Sequence, residues 1–168
     1  MIHDSVRFLR SQGREVIYDA EHFFDGVKAD PNYAFSTLEA AKEAGASTLV
    51  LCDTRGGAYP TEVYETTRQV MSEFGPPIGI HSHNDRGMAT ANSLFAVMAG
   101  ASHVQGTMNG LGERVGNANL IEVVANLHLM GAETKLQVSK LTSLSEFTCE
   151  MSGLRENPYQ PFVGKHAF

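Results

Sequence analysis

The sequence predicts an α/β fold built on a parallel sheet, and three observations carry that prediction. A strand-like run, a polar loop and a helix-like run recur four times within 168 residues, the order that βαβ packing produces. The strand-like run Thr48-Leu-Val-Leu-Cys-Asp53 is apolar on both faces, as strands covered by helices are. Ala44-Gly-Ala-Ser47 returns as Ala99-Gly-Ala-Ser102, each time joining a helix end to the next strand.

In chain order, residues 2–12 read as a helix with Ile2, Val6 and Leu9 on its apolar side, stopped by Gly13. Glu15 to Asp19 is a short β-rich run, and Ala20 to Gly26 reads as a loop carrying Glu21, His22 and Asp25. Asp30-Pro31 is a helix start, a capping side chain followed by proline at the first helical position. That helix turns Ala34, Phe35, Leu38 and Ala41 inward and closes at Gly45. After the strand 48–53 and the loop Thr54-Arg-Gly-Gly57, Pro60 opens another helix. Its Val63, Thr67, Val70 and Phe74 share one side. Gly75, Pro76 and Pro77 stop it. The strand beginning at Ile78, a helix over 88–99 and a strand over 103–107 follow. The loop Asn109-Gly-Leu-Gly-Glu-Arg-Val-Gly-Asn117 leads to a helix over 118–130. A last helix spans Leu141 to Met151, before an irregular tail with Pro158 and Pro161.

Composition narrows the function. Apolar residues make up 42% and charged residues 19%, the balance of a globular domain. A formal charge of -6 without a basic run speaks against nucleic acid or an anionic membrane as partner. No apolar stretch approaches the roughly 20 residues that span a bilayer. Cys52 and Cys149 stand far apart without a CxxC spacing, which suggests reduced thiols and a cytoplasmic location.

The stretch Ile78-Gly-Ile-His-Ser-His-Asn-Asp-Arg-Gly87 is where chemistry concentrates. Alternate strand residues share a face, so Gly79, His81 and His83 point opposite to Ile78, Ile80 and Ser82. Two imidazoles on one strand face can grip one metal ion, although His-x-His also occurs on plain surfaces. The polar segments around Glu21, Thr54, His81/His83 and Asn117 each follow a strand and are expected to gather on one face. Four such units make either half of an eight-unit barrel or an open doubly wound sheet, and the pattern alone does not separate them.

The motifs His81-Ser-His-Asn-Asp85 and Asn109-Gly-Leu-Gly-Glu-Arg-Val-Gly-Asn117 resemble those of the 2-isopropylmalate, homocitrate and citramalate synthases. These are TIM-barrel enzymes that condense acetyl-CoA with a 2-oxo acid. Glu15-Val-Ile-Tyr-Asp-Ala-Glu-His-Phe-Phe-Asp-Gly26 and Leu51-Cys-Asp-Thr54 extend the likeness over essentially the whole chain and look most like the citramalate branch. The resemblance implies a partial TIM barrel, with residues 1–135 forming strands five to eight and residues 136–168 an extra helix and the start of a linker. Nothing matches the Arg-Asp pair of the family's first strand, so the expectation is a portion of a larger enzyme.

By the same resemblance, His81, His83 and Asn117 are expected to ligate a divalent metal (Mg, Mn or Zn). Glu21 is expected beside the reacting centre, and Thr54 at the substrate carboxylate. Asn109 and Glu113 either contact the acyl-CoA or hold their loop, Asp53 braces its own loop, and Asp85 orients a ligating histidine. The implied reaction is an aldol-type addition followed by thioester hydrolysis, with acetyl-CoA as co-substrate. Pyruvate is the first expectation for the 2-oxo acid and 2-oxoisovalerate the second. The alternative is a half-barrel, inactive alone, that works only when paired with a second copy or an N-terminal half.

Overall fold

The computed structural model describes residues 1–132 and 134–167. Its elements run α1 (Ile2–Ser11), β1 (Ile17–Ala20), α2 (Phe23–Ala29), α3 (Pro31–Glu43), β2 (Thr48–Asp53), α4 (Pro60–Phe74), β3 (Ile78–Ser82), α5 (Ala89–Met98), β4 (His103–Gln105), α6 (Leu120–Leu129) and α7 (Leu141–Ser152). The strands form one sheet in the order β1-β2-β3-β4. All three pairings are parallel, with Ile17 opposite Thr48, Leu49 opposite Ile78 and Gly79 opposite His103. Sequential strands are spatial neighbours and each crossover is helical, as the recurring strand–loop–helix pattern requires.

Local chemistry sets the helix ends. The Asp30 side chain accepts from the Tyr33 N–H at 3.0 Å, with Pro31 in the first turn of α3. Glu62 reaches back to the Tyr59 N–H at 2.9 Å at the start of α4. Asn119 caps α6 by accepting from the Ile121 N–H at 3.1 Å. The main core lies between the sheet and its helices. Leu49, Leu51, Ile78 and Ile80 point into it and meet Leu38, Val63, Val70 and the buried phenylalanines 23, 24 and 35. A smaller core joins Ile121, Val124 and Ala125 of α6 to Leu141 of α7.

Three local differences separate the structure from the sequence reading. Phe23–Ala29 is helical where a loop is expected. Its first residue follows His22 in a left-handed conformation with no side-chain cap, so the usual start signal is absent. The helix is held instead by Phe23 and Phe24, which are 3% and 4% exposed. The fourth strand stops at Gln105, two residues early, because Gly106 passes so close to the Ala118 carbonyl that a Cβ would lie 2.5 Å from it. Thr107 then pairs with Asn119 instead of continuing along β3. In α1, Val6 is buried but Leu9 remains 43% exposed.

Candidate active site

The end of β3 carries the expected alternation. Ile78 and Ile80 face the helices, while the rings of His81 and His83 lie on the opposite, concave side of the sheet with centroids 5.1 Å apart. Their Nε2 atoms are 3.3 Å apart. Asn117 is brought to the same spot by backbone pairing. The Asn84 N–H donates to the Gly116 carbonyl and the Ala118 N–H to the Ser82 carbonyl, both at 2.9 Å. The Asn117 amide nitrogen then stands 3.1 Å from His81 Nε2, and a turn of the amide about its last side-chain bond would bring its oxygen there instead. Three glycines make this close approach possible. A Cβ on Gly112 would collide with the Asn117 amide oxygen, one on Gly116 would strike the Gly110 carbonyl, and Gly110 and Gly116 both have positive φ.

These donors fit a divalent ion. The two Nε2 atoms, 3.3 Å apart, are spaced so that one ion could be held by both. The set is partial: among the described residues no group of three His, Cys, Asp or Glu side chains converges, so two imidazoles and one amide are what this chain offers. Burial, reinforced by the neighbouring His81 and by Arg114, pushes the His83 pKa below its ordinary value. His83 Nδ1 is buried without a hydrogen-bond partner among the described residues, and Glu113 Oε1 lies 4.0 Å away.

Glu21 and Thr54 form a second, adjoining pair. Thr54 Oγ1 donates to Glu21 Oε2 at 2.6 Å and accepts from the His22 N–H at 2.7 Å. Beneath it, Asp53 is 4% exposed. It accepts from the Gly57 N–H at 2.9 Å, the Ala58 N–H at 3.1 Å and the Asn92 amide at 3.3 Å, and so ties the loop after β2 to α5. Arg114 joins the two pairs. Its guanidinium donates to both oxygens of Asp85 at 2.8 and 3.0 Å, to the Thr54 carbonyl at 2.7 Å and to Glu113 at 2.8 Å.

Asp85 is therefore engaged by Arg114 and not by a histidine, a correction to the sequence reading. Arg114 holds its carboxyl below the usual carboxylate range. The arginine is the stronger partner because it matches the carboxylate with two charge-assisted bonds. His81 is oriented from the other side, by Gln105 on β4. Nothing in the sequence singles out Gln105 or Arg114 beyond membership of a strand and of the glycine-rich loop.

Asn109 sits apart from the histidines. Its amide oxygen accepts from Ser145 at 2.7 Å and Gln160 at 3.0 Å, and its nitrogen donates to the Ser145 carbonyl at 3.0 Å. Of its two expected tasks, the contacts present are those that hold the loop. Asn109 nonetheless lines a cavity of about 420 Å³, with Asn84, Asn117, Cys149, Arg155 and Gln160, and Asn117 connects that cavity to the histidine pair. The structure thus gathers Glu21, Thr54, His81, His83, Glu113 and Asn117 at the carboxyl ends of the strands, with Asn109 behind them.

Similarity to known proteins runs the length of the chain. Five (R)-citramalate synthases are 47–50% identical to the whole chain. That of Synechocystis sp. is 50% identical over 179 residues. A probable 2-isopropylmalate synthase of Methanosarcina mazei is 37% identical over 98% of the chain. The chain spans about a third of the length of these relatives. Among solved structures, the hydroxymethylglutaryl-CoA lyase of Pseudomonas aeruginosa superimposes with a TM-score of 0.77 at 19% identity, over 92% of this chain and 55% of that one. It places the four-stranded sheet as part of a TIM-barrel architecture. The HMGL-like family model matches residues 1–148, and with the paired histidines and the glycine-rich loop in place the chain belongs to the HMGL-like family.

Proposed function

We propose that this chain carries part of the active site of an acyltransferase that condenses acetyl-CoA with a 2-oxo acid. Pyruvate, giving citramalate, is the preferred substrate and 2-oxoisovalerate the second. The observation that supports this most is the convergence of His81 Nε2, His83 Nε2 and the Asn117 amide at the strand ends, in a chain whose relatives bear the name (R)-citramalate synthase. Residues 1–135 supply the second half of the barrel and residues 136–168 an appended helix and linker.

His81, His83 and the Asn117 amide oxygen would hold a divalent ion, which when bound polarises the carbonyl of the 2-oxo acid. The remaining work falls to the chain. Glu21, fixed by the Thr54 hydroxyl, stands beside the reacting centre, where it orients the acetyl thioester or relays its proton. Thr54 and Glu113 present polar groups to the substrates, and Asn109 stiffens the loop on which Glu113 rides. A base takes a proton from the acetyl methyl group. The resulting carbanion forms a C–C bond to the carbonyl carbon, whose oxygen takes up a proton, and water then cleaves the thioester to release CoA. Free thiols at Cys52 and Cys149 suit a cytoplasmic enzyme. Among the described residues no helix is long and apolar enough to cross a membrane.

The second reading rests on the sheet edges. β1 and β4 each have one paired neighbour, and open edges of a parallel sheet favour association. A second copy, or an N-terminal half-barrel, would pair with them, and sedimentation velocity reads this directly: a sharp monomer at all concentrations refutes self-association. The activity is tested by CoA-thiol release from acetyl-CoA with Mg²⁺ or Mn²⁺ and each 2-oxo acid in turn. Release that depends on pyruvate and vanishes in His83→Ala is expected, whether from the chain alone or after adding the complementing half. Release that survives His83→Ala refutes the assignment.

A further inference from the structure

We propose that Gln105, held by Asp19, is a positioning residue that fixes His81 as the Nδ1–H tautomer and so leaves the Nε2 lone pair facing His83 and Asn117. The inference rests on the reading of that point as a metal site. Gln105 is the β4 residue opposite His81 on β3. Its amide oxygen is 2.8 Å from His81 Nδ1, and its amide nitrogen donates to Asp19 Oδ1 at 2.9 Å. Asp19 lies on β1, at the other end of the sheet, so the contact closes across the concave side.

The chemistry of the three groups leaves one arrangement. A carboxylate accepts and does not donate, so Asp19 must face the NH2 of Gln105. That choice turns the amide oxygen toward His81. An amide oxygen only accepts, so His81 Nδ1 must carry a proton. A neutral imidazole has one N–H, and Nε2 is then the unprotonated nitrogen. The direction of one carboxylate thus sets the lone pair of a ring it does not touch. Histidine ligands generally depend on such a partner at the second nitrogen.

The test is nitrogen-detected NMR of the histidine rings in the metal-free chain, with His81 assigned by its loss in His81→Ala. The expected spectrum shows Nδ1 protonated and Nε2 unprotonated. Gln105→Leu and Asp19→Ala should each abolish this fixed tautomer and weaken Mn²⁺ or Zn²⁺ binding by calorimetry about 10–100-fold. Gln105→Glu, which keeps an acceptor at Nδ1, should retain the protonated Nδ1. Asp19→Ala removes the acceptor and truncates an exposed side chain, so it serves if Gln105→Leu does not fold. An Nε2–H tautomer in the wild-type chain, or an unchanged spectrum in Asp19→Ala, overturns the proposal. The fixed tautomer together with no binding of either metal overturns the metal reading and leaves the positioning role standing.

Discussion

Asp53 offers the sharpest test of how the site is braced. Replacing it with alanine removes the acceptor of the Ala58 N–H, on a residue 2% exposed, and of one hydrogen of the Asn92 amide, on a residue 1% exposed. Each buried donor left unpaired costs about 1–3 kcal/mol. Against this, deletion removes a carboxylate that burial penalises. Its pKa is raised above 3.8 chiefly by desolvation, despite the bonds from Gly57, Ala58 and Asn92. The net loss for Asp53→Ala is about 2–4 kcal/mol. Asp53→Asn keeps an acceptor for both backbone N–H groups and buries no charge. Its NH2 replaces the oxygen that accepts from the Ala58 N–H at 3.1 Å and the Asn92 amide at 3.3 Å, and Asn92 cannot turn without losing its own bond to the Ala58 carbonyl, so the cost is about 1–2 kcal/mol, with Oδ1 still accepting from both backbone N–H groups. Urea unfolding of both variants measures the gap, expected at about 1 kcal/mol or more with equal slopes. Variants of equal stability would refute the reasoning. The pH dependence gives a second reading. The folded chain holds this proton more tightly than the unfolded chain, so Asp53 contributes most stability below pH 3.8, and that contribution is lost as pH rises from there through the folded pKa. Asp53→Asn should remove this part of the slope.

Three further outcomes are expected. Gly112→Ala drives a Cβ into the Asn117 amide oxygen; it should lower stability by about 1–3 kcal/mol and weaken Mn²⁺ binding, and calorimetric affinity equal to wild type would count against Asn117 as a ligand. Arg114→Gln loses the bidentate grip on Asp85 and the bond to the Thr54 carbonyl, so amide exchange over 109–117 should accelerate while that of β2 stays slow; uniform exchange would deny Arg114 its clasp role. Cys52 is fully buried and burial pushes its thiol pKa up, so in a Cys149→Ser background a disulfide reagent at pH 8 should label it only after denaturant is added; rapid labelling of the native protein would mean that the concave side is open to solvent at β2.

What the sequence made legible follows the range over which each signal acts. The alternation of β3 put Ile80 in the core and His81 and His83 on the other face, because strand parity is a local rule. Asp30, Pro31 and Pro60 marked their helices for the same reason. Helix α2 escaped because it is held by the tertiary burial of Phe23 and Phe24 and has no capping side chain. The site divides along the same line. His81, Thr54 and Glu21 stand at strand ends and could be found from the order of elements. The groups that decide what those side chains can do are reached only through space: Arg114 bonds a carbonyl 60 residues away, and Gln105 a carboxylate 86 residues away. Neither partner is encoded by spacing, since each is met only when separate elements pack together: Arg114 reaches the loop after β2, and Gln105 on β4 reaches Asp19 on β1. A sheet that held its two outer strands apart would separate Asp19 from Gln105, free the amide to turn, and leave His81 without a defined partner. The contact between those strands therefore ties the pairing of the sheet to the orientation proposed for the ring at its centre.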